Sequence, residues 1–339
     1  MLTAQQKIFR KYWYAIMPLT DLKDGPKPFK LLDENIVLFL DGQGKPAALK
    51  DRCCHRTAKL SKGYCENGNL VCGYHGWTYN RTGKVVRIQQ YDANREIPEG
   101  YCTPAYHAQA KYGYAWVALE EPLLPIPELP EFDNPKYRTI LQFYEKWATS
   151  PLRALENSFD NSHFSFVHKN TFGVAAQPKP SKYELVETDW GFYAETIIDA
   201  ANPEKFHQIS GSKEDITQRH MRNAWYMPFS RRLDIEYPSG IRHIIINCFT
   251  PIDDGNIQLV QWLFRNDTEE DCPAQLLIDF DYVITREDQD ILESTDPDSV
   301  VDLRRRGVEY SMDSDRPGIM MRKRLMALLA EHGEQEIHG

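Results

Sequence analysis

Nowhere in the 339 residues is there an apolar run long enough to cross a bilayer. The opening residues, Met1-Leu2-Thr3-Ala4-Gln5-Gln6-Lys7, lack the apolar core of a secretion signal. Basic residues are in deficit, 40 Lys and Arg against 49 Asp and Glu. The resulting net charge of -9 argues against general nucleic-acid binding. Cysteines number only seven, an odd count without disulfide-framework spacing. These absences set the expectation of no membrane partner and a reducing cytoplasm. No internal repeat or low-complexity segment appears, and there is no flavin or nicotinamide fingerprint and no plant-type ferredoxin cysteine run. What remains is a chain with 42% hydrophobic residues, enough to fill the cores of two domains or one large one.

The stretch Arg52-Cys53-Cys54-His55-Arg56, followed by Cys72-Gly73-Tyr74-His75, presents Cys53-x-His55 and Cys72-x-x-His75. Two thiolates and two imidazoles in this arrangement suit a [2Fe–2S] cluster in which two His replace two Cys on one iron, the Rieske type. Thiolates hold ferric iron strongly. Neutral imidazoles remove negative charge from the other iron, so the cluster accepts an electron more readily. A zinc site is the alternative, since these ligands tolerate zinc. Zinc fingers, however, pair two Cys and then two His, not one of each at both ends. Gly63, Gly68, Gly73 and Gly76 lie in or beside the two loops, where the chain must bend around such a group.

The fold expected is α+β. An all-β domain over residues 1–135 is followed by an antiparallel-sheet domain with long helices, of helix-grip type, over 136–339. Short strands such as 12–16, 36–40 and 112–119 fill the first part, with hairpin signals at Asp41-Gly42, Asn67-Gly68 and Asn80–Gly83. Pro122, Pro125, Pro127, Pro130 and Pro135 then mark a linker. Ser150-Pro151 starts a helix with a good N-cap and first residue. On it lie Asn157, Asp160 and His163, with His168 beyond. Five residues are roughly 140° of helical rotation, so both His reach one metal only if the helix loosens or ends between them. Strands return at 183–186, 192–197, 232–237, 243–249 and 257–264. A helix from about Pro273 to Leu292 carries an apolar stripe of Phe280, Val283, Ile284 and Ile291. Glu287 and Asp288 lie on or beside the stripe, where a carboxylate must be paired or bind metal. Periodicity does not choose between them. The basic helix ending near Glu331 reads as a solvated face.

Residues Arg52–Asn80 resemble the Rieske motif of the Rieske non-heme iron oxygenases, in their catalytic alpha subunit. They differ from the respiratory Rieske proteins, whose ligand loops carry an extra disulfide. Here Cys54 is wrongly spaced and Tyr74 offers no thiol. Asn157, Asp160, His163 and His168 match the family's N-x-x-D-x-x-H-x-x-x-x-H segment, and Glu287–Glu293 match its E-D-x-x-[IVL]-[IVL]-E segment. The resemblance implies that His163, His168 and Asp288 form a two-His-one-carboxylate triad on Fe(II), open to O2. It implies that Asp160 links one subunit's cluster to the next subunit's iron, that Asn157 lies near the iron, and that the assembly is a homotrimer. Electrons then come from NAD(P)H through a separate ferredoxin or reductase. Arg56, Lys59 and Lys62 are candidates for docking that partner, or ordinary surface charges. The short chain is most similar to the monooxygenases and N- or O-demethylases acting on small organic substrates. Aromatic cis-dihydroxylation and a pure Rieske electron carrier are the alternatives. Trp225, Met227, Asn247 and Trp262 are pocket candidates, set against plain sheet packing.

Overall fold

Alternating apolar residues build three antiparallel sheets. The computed structural model describes residues 1–92, 94–305 and 308–339, which divide into two compact units. Lys7–Ile126 form the smaller unit. Its strands are β1 (Tyr14–Pro18), β2 (Lys27–Leu31), β3 (Glu34–Leu40), β4 (Pro46–Lys50), β5 (Tyr64–Glu66), β6 (Asn69–Val71), β7 (Thr78–Tyr79), β8 (Val85–Arg87), β9 (Ala105–Lys111) and β10 (Tyr114–Ala118). The larger sheet runs β1-β10-β9-β4-β3-β2 and the smaller β5-β6-β7-β8. Val37, Phe39 and Leu49 from the first share a core with Leu70, Tyr79 and Val85 from the second. Each such fully buried side chain stabilises the fold by about 1.5–3 kcal/mol before entropy is counted.

Met1–Gln6 and Pro127–Gly339 form the larger unit. Its strands are β11 (Arg138–Trp147), β12 (Glu184–Thr188), β13 (Gly191–Ala201), β14 (Ile216–Tyr226), β15 (Ser230–Glu236), β16 (Arg242–Pro251) and β17 (Ile257–Arg265). They make one sheet in the order β11-β17-β16-β15-β14-β13-β12. The helices are α1 (Pro151–Asn157), α2 (Phe164–Val167), α3 (His207–Ser210), α4 (Ala274–Leu292) and α5 (Arg316–Glu331). Helix α4 contacts both α1 and α2, α1 also contacts β16, and α4 contacts β11.

Several expectations need correction. The boundary falls at Ile126, inside the proline stretch, not at 135, because Glu131 pairs with Arg232 of β15 at 2.7 Å. The first six residues belong with the larger unit. The Leu2 amide donates to the Ile337 carbonyl (2.8 Å), and the Ala4 amide to Asp254 (2.7 Å). The helix at Ser150 starts as expected, with Ser150 Oγ accepting the Arg153 amide. It ends at Asn157, before Asp160, where Asp160 Oδ1 accepts the Ser162 amide at 2.7 Å and turns the chain. On α4, Val283 and Ile291 are exposed while Asp281 is buried against His243, so the stripe is rotated from the one apolarity suggested. On α5, Arg322 is not solvated: it is buried between Glu156 and Glu309. Strands β11 and β14 were not foreseen. In β14 the buried positions include Thr217, Arg219 and Asn223, so its pattern inverts the usual apolar-in alternation.

Candidate active site

Cys53 and His55 lie in the loop from β4 to β5, Cys72 and His75 in the loop from β6 to β7. The loops are built alike. The Cys53 amide donates to the Ala58 carbonyl (2.8 Å) and the Cys72 amide to the Trp77 carbonyl (2.9 Å). Asp51 pins the first loop by accepting the Ser61 amide (2.7 Å) and hydroxyl (2.6 Å). Two glycines set the spacing between the loops. A Cβ on Gly63 would stand 1.8 Å from the Val71 carbonyl oxygen, and one on Gly73 would stand 2.7 Å from that of Lys62. Both thiols are buried, both imidazoles only partly, and the two His rings lie 4.7 Å apart. His55 stacks on Trp77 at 4.5 Å. Its Nδ1 is buried without a hydrogen-bond partner. Two buried thiols beside two imidazoles, one with an unsatisfied inner nitrogen, fit a [2Fe–2S] group held by mixed ligands.

Sequence reasoning missed Tyr79. Its fully buried hydroxyl accepts the Cys54 amide (3.0 Å) and lies 3.1 Å from Cys53 Sγ. Burial, then the neighbouring thiols, push its phenol far up, so it keeps its proton and can donate to sulfur. The only sequence signal was a Tyr seven residues beyond Cys72 at the end of a strand.

In the larger unit the structure brings His163, His168 and Asp288 together, although 120 residues separate the last two. The chain solves the helical-rotation problem by placing the two His at either end of α2, His163 before its first residue and His168 after its last. His163 Nε2 and His168 Nε2 lie 3.2 Å apart, and Asp288 Oδ1 is 3.4 and 3.2 Å from them. On their other sides, His163 Nδ1 donates to Asp160 Oδ2 (3.1 Å) and His168 Nδ1 to Glu287 Oε2 (2.8 Å). With both Nδ1 atoms protonated, the two Nε2 lone pairs and a carboxylate oxygen face one another. A metal ion relieves that crowding, and without one a proton shared between His163 and Asp288 does so. Donors held at about 2.1 Å and right angles from one ion stand about 3 Å apart, close to the observed triangle. Burial works to lower the His163 pKa, but bonds to Asp160 and Asp288 outweigh it and hold it at about 9. Burial works to raise the Asp288 pKa, but the two imidazoles hold it well below the usual carboxylate range.

Glu287 is therefore turned away from the triangle. It also accepts the Thr171 hydroxyl at 2.8 Å and fixes the tautomer and tilt of His168. Asn157 lines the cavity beside His163.

That cavity has His163, His168 and Asp288 in its wall. Its sheet side is formed by alternate residues, among them Arg219 and Met221 of β14, Arg231 and Leu233 of β15, and Asn247 of β16. Of the four pocket candidates only Asn247 lines it. Trp225 is fully buried elsewhere and donates to the Pro228 carbonyl (2.9 Å); Met227 and Trp262 are likewise absent from the wall. A polar relay missed in the sequence crosses the sheet. Asn247 Nδ2 donates to Gln261 Oε1 (2.6 Å), Gln261 Nε2 to Gln142 Oε1 (2.8 Å), and Gln142 Nε2 to Asp281 Oδ2 (2.6 Å), which also meets His243 Nε2 at 3.1 Å.

Comparison with known proteins decides the family. Residues 12–106 match the Rieske [2Fe-2S] domain, and residues 147–331 match the Vanillate O-demethylase oxygenase C-terminal domain, more than half of the chain. The chain belongs to the Rieske non-heme iron oxygenases. Methylxanthine N1-demethylase NdmA of Pseudomonas putida is 28% identical over 97% of this chain and 92% of its own. The N3-demethylase NdmB of the same organism is 27% identical over 93% and 88%. The solved structure of Pseudomonas putida CBB5 NdmA superposes with a TM-score of 0.79 at 25% identity, covering 98% of this chain and 94% of that one. Dicamba monooxygenase bound to 3,6 dichlorosalicylic acid shares the fold, with a TM-score of 0.83 at 19% identity, covering 96% and 99%. This Rieske oxygenase is thus an oxidoreductase of the monooxygenase type, acting on small organic molecules. Its cofactors are a Rieske [2Fe–2S] cluster and a mononuclear non-heme iron, with electrons drawn from a reductase. No helix among the described residues is long and apolar enough to cross a membrane.

Proposed function

We propose that this Rieske oxygenase hydroxylates or N- or O-demethylates a small organic substrate in the cavity beside His163, His168 and Asp288. The observation that carries the reading is the convergence of three donor atoms within 3.4 Å of one another in the cavity wall. In this reading those three residues hold the iron, and Cys53, His55, Cys72 and His75 hold the cluster. Iron in the triad would activate dioxygen with electrons passed from the cluster. The chain's own residues do the rest. Asp160 and Glu287 hold a proton on Nδ1 of each imidazole, so that Nε2 is the nitrogen left to meet a metal ion once any proton there is displaced. Met221, Leu233, Ile235, Phe249 and Leu259 give the cavity apolar walls that exclude water around a flat substrate.

The assembly is a homotrimer in this reading. Asp160 supports it: its carboxylate meets His163 and the Ser162 amide, and the side chain stays 30% exposed, open to a further group from a neighbouring subunit. Arg56, Lys59 and Lys62 are exposed beside the first cluster loop and would meet an acidic ferredoxin or reductase. The five cysteines outside the cluster ligands form no disulfide, which fits a reducing cytoplasm.

A single turnover tests the reaction. The reduced holoenzyme is mixed with oxygen and a panel of N-methyl, O-methyl and aromatic compounds. Product carrying one added oxygen, or a lost methyl group recovered as formaldehyde, is the expected result. A cis-diol carrying two added oxygens would overturn it.

A further inference from the structure

Two guanidiniums in the cavity wall have no carboxylate of the described residues in contact with them. Arg219 and Arg231 both line it, and no carboxylate among the described residues comes within 4 Å of either guanidinium. Arg219 is only 4% exposed. Its Nη2 donates to the Ala201 carbonyl (3.3 Å), while its Nε is buried without a partner. Its guanidinium lies 5.5 Å from the Phe172 ring and 5.3 Å from that of Tyr237. Arg231 Nε donates to Asn223 Oδ1 at 2.8 Å, and Nη1 reaches Asn247 Oδ1 only at 3.5 Å. Burial pushes the Arg231 guanidinium down to about 10, still charged at neutral pH. Unpartnered donors continue around it: Asn223 Nδ2 and, on the cavity wall, Trp147 Nε1. The acids of the wall make no ion pair with either guanidinium: Asp281 bonds His243 and Gln142, and Asp288, whose charge favours that of Arg231 from a distance, stands against the two imidazoles.

A buried cation without an ion partner costs several kcal/mol. A wall with donors in excess of acceptors asks its occupant for negative charge. Resting on the oxygenase reading of this site, we propose that the substrate is a small organic acid whose carboxylate pairs with the Nη atoms of Arg231. Arg219 adds positive potential from the neighbouring strand. The relay from Asn247 through Gln261 and Gln142 to Asp281 turns the Asn247 oxygen toward Arg231 and so aims the guanidinium. The chemistry contrasts with that of the methylxanthine relatives named above, because a methylxanthine offers carbonyls rather than a carboxylate.

The test is equilibrium binding to the anaerobic, cluster-loaded holoenzyme by calorimetry. The probes are a series of methoxybenzoates and methylaminobenzoates, the corresponding neutral benzamides, and caffeine. At least one acid is expected to bind about 10–100-fold more tightly than its amide, the range for a charged hydrogen bond. R231Q should erase that preference, and R231K should retain part of it. Amides binding as tightly as their acids, no acid binding at all, or R231Q weakening acid and amide equally would each overturn the proposal. Should R231Q fail to load its cluster, the acid-to-amide ratio of the wild type and R231K decides. Oxygen incorporation is scored separately. An acid bound through Arg231 but never oxygenated leaves the anion site standing and removes the oxygenase reading. A neutral compound oxygenated equally by wild type and R231Q does the reverse.

Discussion

The two redox sites are held in opposite ways. The cluster site is made by backbone: two loops closed by their own amides, brought together at glycines where no Cβ fits. The triad is made by side chains, with each imidazole set by a carboxylate on its far nitrogen. A cradle of main chain places its ligands through turn geometry, within a short stretch of sequence. A triad spread over three segments needs a second layer of side chains to aim it.

The sharpest way to break this contrast is Gly63→Ala. The new methyl group would sit 1.8 Å from the Val71 carbonyl oxygen, which belongs to backbone and cannot swing away. We expect about 3 kcal/mol of destabilisation in the smaller unit and loss of the cluster's visible absorption, with the mononuclear iron retained. Loss of both metals together would deny the two sites their separate supports. Glu287→Gln acts on the other side. It keeps the shape but removes the charge behind His168, and iron affinity should fall about 10–100-fold while the cluster spectrum stays unchanged. Unchanged iron affinity in a metal titration would assign Glu287 a packing role only. The smallest effect is expected from Tyr79→Phe. Its hydroxyl lies beside Cys53 sulfur, and a donor there favours the reduced, more negative cluster. Removing about 1 kcal/mol of that preference lowers the midpoint potential by about 40 mV. A potential that stays or rises in a redox titration would exclude the hydroxyl as a donor to the cluster.

The same contrast explains what could be read from the sequence. Cys53, His55, Cys72 and His75, the proposed cluster ligands, stand out in the sequence because a main-chain cradle compresses such residues into fixed local spacing. His163 and His168 were legible as a pair, but Asp288 and Glu287 were not separable by periodicity. Adjacent positions on α4 point 100° apart, and only the fold shows which one meets the imidazoles. Strand β14 was missed because its buried face is polar where it borders the cavity. Arg322 read as solvated because a sequence does not reveal two acids arriving from 166 residues upstream and from the loop before α5. Tyr79 and the Gln142–Gln261–Asn247 relay carry no motif at all. Their roles exist only through strand pairing, β7 beside β6 and β11 beside β17 beside β16.

That relay has a bearing on how the enzyme could change over generations. Its three amides all point one way, each donating toward Asp281 and accepting from the side of Arg231. Reversing any one leaves two acceptors or two donors facing each other, so the orientations are inherited as a set. A substitution at Gln142, which does not line the cavity, would therefore alter what Arg231 presents within it. Variants with new substrate preference should arise at this remote edge strand, and they should arrive in compensating pairs along the relay.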